Sequence, residues 1–152
     1  MSTFQTRIAS TKDIEAVALL FDAYRQFYQQ SSDLPLATKF IRDRISKEES
    51  VIILAENADH EALGFCQMYP SFCSVDAVAI YTLYDLFVQP EARRTGAGKA
   101  LLLAAEKHAA RHGVARMDLT TAKTNHAGQA LYQSLGWVQD ALFFSYSKQI
   151  QA

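Results

Sequence analysis

The sequence predicts a mixed α/β fold, a central sheet with helices crossing over between strands. Three observations carry this. Apolar residues recur at helical spacing in several separate stretches, apolar or β-branched runs of strand length lie between them, and Pro or Gly punctuates the boundaries. The chain has 152 residues, 49% of them hydrophobic, enough for one compact domain whose core forms without disulfides or a structural metal. No linker, low-complexity tract or internal repeat interrupts it, so residues 1–152 are expected to form a single domain.

Phe4 to Ile8 reads as a short opening strand, and Ser10 with Asp13 resembles a capping box with Asp in place of Glu. Ile14, Val17, Phe21, Tyr24 and Tyr28 then share one helical face. Ser32, Asp33 and Pro35 break the chain before a second short helix marked by Leu36, Phe40, Ile41 and Ile45. Val51 to Ala55 is a buried-strand run, Glu56 to Glu61 turns it back, and Leu63 to Tyr69 continues as its hairpin partner, stopped by Pro70. Ile80 to Val88 is a third strong strand, stopped by Pro90.

Leu101, Leu102, Ala105 and Ala109 describe a helix whose last turns carry Lys107, His108, Arg111 and His112, with Gly113 just beyond. Cations suit the negative pole of the helix, and Gly accepts a left-handed cap. Val114, Met117 and Leu119 predict another strand, Ala127, Ala130, Leu131 and Leu135 another helix, and Leu142 to Tyr146 a closing strand.

Fifteen Lys plus Arg against 16 Asp plus Glu leave a net charge of −1, which excludes a strongly basic nucleic-acid binder. No apolar run approaches the roughly 20 residues of a membrane helix, and Met1 to Arg7 lacks the order of a secretory signal. Cys66 and Cys73 have no Cys-x-x-Cys spacing, so neither a zinc site nor a disulfide framework is expected, and a reducing cytoplasm fits best. His108 and His112 stand four apart but lack an adjacent third ligand, and no metal is expected there.

The segment from Leu86 to Lys99 is the most informative. A strand ends, a loop carries Arg93, Arg94 and the spaced glycines Gly96 and Gly98, and a helix begins. Glycines let backbone amides approach a ligand, and the unpaired amides of a helix's first turn favour negative charge, so the segment reads as an anion cradle, the alternative being a glycine-rich helix entry with solvated arginines. It lacks the third glycine of the dinucleotide fingerprint, since Leu101 stands there. It also lacks the spacing and the Ser or Thr of a nucleotide-triphosphate loop, since Ala100 follows Lys99.

Arg93-x-x-Gly96-x-Gly98, preceded by Val88-x-Pro90, resembles the pyrophosphate-binding motif of the GNAT superfamily of acetyl-CoA-dependent N-acetyltransferases. Downstream, Asn125 to Trp137 is similar to that family's second motif, Asn-x-x-Ala-x-x-Leu-Tyr-x-x-x-Gly-Phe, with Gly128 in place of Ala and Trp137 in place of Phe. The resemblance implies a GNAT-like fold with a central, mostly antiparallel mixed sheet flanked by about four helices. It also implies that the amides of Arg94, Thr95, Gly96, Ala97, Gly98 and Lys99 hold the coenzyme A pyrophosphate, with Arg93 and Arg94 adding charge. The strand edge at Leu86, Phe87 and Val88 would bind the pantetheine arm, Asn125 would lie near it, and the Tyr132 hydroxyl would lie near the sulfur.

The implied reaction is direct transfer from acetyl-CoA to a primary amine, without metal or acyl-enzyme. An alkylamine has an ordinary pKa near 10.4, so presenting its free base at pH 7 costs roughly 4.6 kcal/mol and calls for a base or a water chain. Family members such as the polyamine acetyltransferases carry Glu where Tyr84 lies, so Asp85 and Tyr84 acting through water are both candidates. Strand alternation points these two to opposite faces, so only one would meet the amine. Tyr132 would stabilise or protonate the leaving thiolate. The resemblance also places Tyr24 and Tyr28 beside the acceptor pocket.

A small-molecule amine is the expected acceptor, because no appended domain recruits a protein. The alternatives are a protein lysine or N-terminal acceptor, or a module that senses acyl-CoA without catalysis. The aromatic density of Leu142 to Tyr146, with Phe143 and Phe144, points to homodimerisation through the last strand, and the alternative is that these side chains close the monomer core.

Overall fold

The computed structural model describes residues 4–151. Met1 to Thr3, the start of the segment read for a signal, and Ala152 lie outside the described residues. The chain divides into two compact units, one ending at Thr120 and one beginning at Thr121.

The first unit holds β1 (Gln5–Ile8), α1 (Ile14–Phe27), α2 (Leu34–Ser46), β2 (Val51–Glu56), β3 (Ala62–Cys73), β4 (Val78–Val88), α3 (Ala97–Arg111) and β5 (Arg116–Asp118). The strands form one sheet in the order β1-β2-β3-β4-β5. Neighbours are antiparallel except β4 and β5, which are parallel and joined through α3. This is the mixed, mostly antiparallel sheet with flanking helices that the sequence implied.

The capping-box reading holds: the Asp13 carboxylate accepts the Ser10 amide at 2.8 Å and also receives Arg7 at 2.7 and 2.8 Å. Arg7 reaches Glu56 on β2 as well, which ties the opening strand to both neighbours. The Asp33 side chain caps α2 by accepting from the Leu36 amide at 3.1 Å.

One face of the sheet carries α1 and α2. Val17, Leu20 and Phe21 of α1 and Ala37 and Ile41 of α2 pack on Ile52 and Leu54 of β2, Phe65 of β3 and Phe87 of β4. Each such large side chain, fully buried, contributes roughly 1.5–3 kcal/mol. The opposite face meets α3, where Cys66 lies near the Leu101 carbonyl and Tyr81 stacks on His108. Burial pushes the Cys66 thiol up to about 12.

Pro70 does not end its strand. β3 runs on to Cys73, with Pro70 opposite Tyr81, while β2 pairs only as far as Val51 with Met68. Beyond Met68 the β2 side of β3 is an edge, where a missing N–H is tolerated.

Alternation also fails where it matters most. Gln67 pairs with Asp85 and Met68 with Leu83, so Tyr84 is an extra residue, a β-bulge. The Tyr84 ring meets Tyr69, which by alternation shares the face of Gln67, and Asp85 hydrogen-bonds Gln67 itself. The bulge therefore brings Tyr84 and Asp85 to the same α1 side, not to opposite faces.

The second unit contains α4 (His126–Ser134), closed by the left-handed Gly136. The expected closing strand is absent: residues 138–151 have no regular secondary structure, and Leu142, Phe143, Phe144 and Tyr146 are exposed. The physical reason is local. Asp140 Oδ1 accepts the amides of Leu142 at 2.8 Å and Phe143 at 3.3 Å, consuming donors that a ladder would need. No helix among the described residues is long and apolar enough to cross a membrane.

Candidate active site

The site grows from the bulge in β4. Gln67 and Asp85 are polar residues in the buried stretches of β3 and β4 and are almost wholly buried, at 0% and 3% exposure. Gln67 Nε2 donates to Asp85 Oδ2 at 2.5 Å, and the Ser50 hydroxyl donates to Gln67 Oε1 at 2.7 Å. Ser50 thereby fixes which end of the amide faces the carboxylate. From α1, the Tyr24 hydroxyl donates to the Tyr84 carbonyl at 3.1 Å and also interacts with the Asp85 carboxylate.

Burial raises the Asp85 carboxyl from an ordinary 3.8 to about 6, against the Gln67 and Tyr24 interactions, which favour the ionised form. The Tyr24, Tyr28 and Tyr69 phenols are all pushed above the ordinary value, by burial first and then by the Asp85 charge. Asp85 is thus a desolvated carboxylate ringed by phenols, ionised near neutrality and able to take a proton.

Immediately downstream is the cradle. β4 ends at Val88, Pro90–Ala92 makes a 3-10 turn, Arg94 and Gly96 are left-handed (φ 62° and 96°), and α3 starts at Ala97. The first intrahelical bond runs from the Ala100 amide to the Gly96 carbonyl, so the amides of Ala97, Gly98 and Lys99 precede the helical ladder and point to its N-terminal end. A Cβ built on Gly96 meets nothing within 4 Å, so the loop is open on that side. The Thr95 hydroxyl donates to the Ala92 carbonyl and pins the loop. Arg93, though exposed, is held along the strand end: its Nε donates to the Val88 carbonyl at 3.0 Å, and its guanidinium lies over Phe87 and Phe27 at 5.6 and 5.7 Å. Arg94 and Lys99 are exposed.

β5 pairs with β4 only from Ile80 to Thr82. From Leu83 to Val88 the side of β4 facing away from β3 therefore has no strand partner among the described residues. The stretch Leu86 to Val88 can accept an extended ligand along its edge, next to the cradle. These residues fit a pantetheine and pyrophosphate, both by amide supply and by open space.

In the second unit Asn125 caps α4, accepting from the Gly128 amide at 3.2 Å and donating to Thr121 Oγ1 at 3.0 Å. The Gly128 departure suits this: a Cβ there would lie 2.4 Å from Asn125 Nδ2. Tyr132 sits on α4 with its ring 6.0 Å from Trp137. His108 and His112 stack at 4.1 Å, with burial lowering the His108 pKa, and no cluster of three metal-ligating side chains occurs among the described residues.

Tyr24, Tyr28, Tyr84 and Asp85 are therefore brought together in the first unit. Gln67, Ser50 and Tyr69 join them without having been singled out in the sequence. A lone Gln in the apolar run Leu63 to Tyr69 was a visible signal; its partner was not.

First-turn amides closing a strand, with a buried carboxylate three residues upstream of the strand's end, suit transfer of a group carried on an anionic cofactor. The chain belongs to the acetyltransferase (GNAT) family, whose profile matches residues 15–137. It is 43% identical over 146 residues to the uncharacterized N-acetyltransferase YhfO of Bacillus subtilis (strain 168), covering 96% of this chain and 97% of that protein. A crystal structure of a probable acetyltransferase superposes with a TM-score of 0.91 at 34% identity, covering 97% and 99% of the two chains. The aminoglycoside N-acetyltransferase AAC(6')-Iy in complex with CoA has the same fold, with a TM-score of 0.82 at 20% identity, covering 99% and 97%.

Proposed function

We propose that the protein transfers the acetyl group of acetyl-CoA to a primary amine of a small molecule, directly and within a ternary complex. The observation that carries this is Asp85, a buried carboxylate with a pKa raised to about 6, on the strand whose free edge leads into the amide cradle. The CoA named with the aminoglycoside acetyltransferase supports the choice of co-substrate.

The amides from Arg94 to Lys99 hold the pyrophosphate, and the edge of Leu86, Phe87 and Val88 aligns the pantetheine. Acetyl-CoA supplies a thioester whose carbonyl carbon is the electrophile. Asp85 accepts a proton from the incoming ammonium and frees the lone pair that forms the C–N bond. Burial favours this transfer, because it converts two charged groups into two neutral ones. As the C–S bond breaks, Tyr132 donates its phenolic proton to the sulfur. The second amine proton restores the Tyr132 hydroxyl through water, and Asp85 releases its proton to solvent. Tyr84, exposed at the bulge, is the alternative acceptor through water.

Free-thiol release from acetyl-CoA with an amine panel tests the reading. If every amine fails to exceed water while acetyl-CoA binds at micromolar levels, the transfer claim falls and a sensing module remains. We further propose homodimerisation through Leu142 to Tyr146, supported by its four exposed large apolar side chains. Light scattering at micromolar concentration checks it, a monomeric mass being the contrary result. The free Cys66 and Cys73 suit a reducing, cytoplasmic setting.

A further inference from the structure

We infer that the acceptor is a primary monoamine with an apolar, ring-sized body, its ammonium seated against Asp85 and its body against the surrounding tyrosines. This rests on the acetyl-transfer reading and names the substrate class of the same site.

The head group follows from charge. A buried carboxylate with no cation among the groups acting on it attracts one ammonium, and aromatic faces add favourable contact to a cation. The Tyr24 hydroxyl meets the Tyr84 carbonyl, the Tyr28 ring packs on Tyr24 at 5.1 Å and the Tyr69 ring on Tyr84 at 5.7 Å, so four phenols cluster at the bulge that carries Asp85.

The single head group follows from what the other carboxylates do. Glu49 also acts on the Tyr69 phenol, but Arg44 neutralises it at 3.0 Å. Asp22, buried on the same helix as Tyr24, accepts the Ser32 hydroxyl at 2.6 Å and the Asp33 amide at 2.8 Å. At the rim, the Arg93 guanidinium over Phe27 repels a second cation. A polyamine or aminoglycoside would leave ammonium groups without a counter-charge, which is costly away from water.

The body follows from the rim. Phe27, Tyr28 and Tyr84 are exposed by 49%, 41% and 65% although each packs on another aromatic ring. Apolar rings left open beside a buried carboxylate fit a ligand with a charged end and an apolar remainder.

The test measures kcat/KM by thiol release with phenethylamine, hexylamine, cadaverine and kanamycin. Phenethylamine should exceed hexylamine by about fivefold through ring contacts. It should exceed cadaverine and kanamycin by about a hundredfold, because their extra charges are uncompensated. Tyr28→Leu and Tyr69→Leu should shrink the ring preference toward unity and leave the preference over cadaverine. Cadaverine or kanamycin matching phenethylamine overturns the inference while leaving acetyl transfer intact, and so does an unchanged ring preference in both variants. Absence of thiol release with every amine, at retained acetyl-CoA binding, refutes the transfer reading and this inference with it.

Discussion

The Tyr24 hydroxyl reaches from the first helix to donate to the Tyr84 main-chain carbonyl at 3.1 Å. That carbonyl belongs to the residue that the bulge leaves without an opposite partner. The contact therefore does two things: it satisfies an acceptor freed by the irregular ladder, and it holds a phenol beside Asp85. Tyr24→Phe should cost about 1 kcal/mol of stability. With Asp85 as the proposed base, it should also lower kcat more than it raises KM, since the ring remains while the hydroxyl near that carboxylate is lost. Denaturant unfolding and steady-state kinetics check both effects, and unchanged kcat would remove the hydroxyl from the proton path.

Asp85 opposes folding at neutral pH. Its folded-state pKa of about 6 lies above the ordinary 3.8, so its contribution is most favourable below about pH 4 and is lost as pH rises through 6. At pH 7 the deficit is of order 3 kcal/mol. Asp85→Asn should thus raise the melting temperature at pH 7 by several degrees, leave it nearly unchanged at pH 4, and reduce kcat by about a hundredfold or more. Full activity in this variant would move the proton-accepting role to Tyr84.

The rate should follow the same ionisation. With Asp85 as base, kcat/KM rises with pH through about 6. The Gln67 hydrogen bond favours the carboxylate, so Gln67→Met, which keeps volume and removes the donor, should move this limb to higher pH. Ser50→Ala should move it less in the same direction by loosening the Gln67 amide. A limb that stays in place in Gln67→Met would make Gln67 a packing residue only.

Tyr132→Phe should lower turnover while acetyl-CoA affinity stays within a few-fold, because only the proton donor is removed. Gly98→Glu should abolish acetyl-CoA binding, because it sets a carboxylate among the first-turn amides of α3. Calorimetric titration separates the two: retained binding in Gly98→Glu would overturn the cradle, and wild-type turnover in Tyr132→Phe would overturn the donor.

The sequence by itself determined the local elements. Periodicity located α1, α2, α3 and α4, continuous apolar runs located β2, β3 and β4, and Arg93, Gly96 and Gly98 marked the cradle, because spacing and glycine content are properties of a few consecutive residues. Tertiary structure alone decided the surroundings of Asp85 and Tyr84. Gln67 meets Asp85 across 18 positions of chain and Tyr24 meets Tyr84 across 60, through a register that one extra residue in β4 resets. A bulge reverses every inside and outside assignment beyond it, so alternation alone set Tyr84 and Asp85 on opposite faces when both turn to α1. The last segment shows the same limit from the other side. Leu142 to Tyr146 has the composition of a strand, but a strand exists only where another backbone supplies its hydrogen bonds, and Asp140 claims two of its amides first.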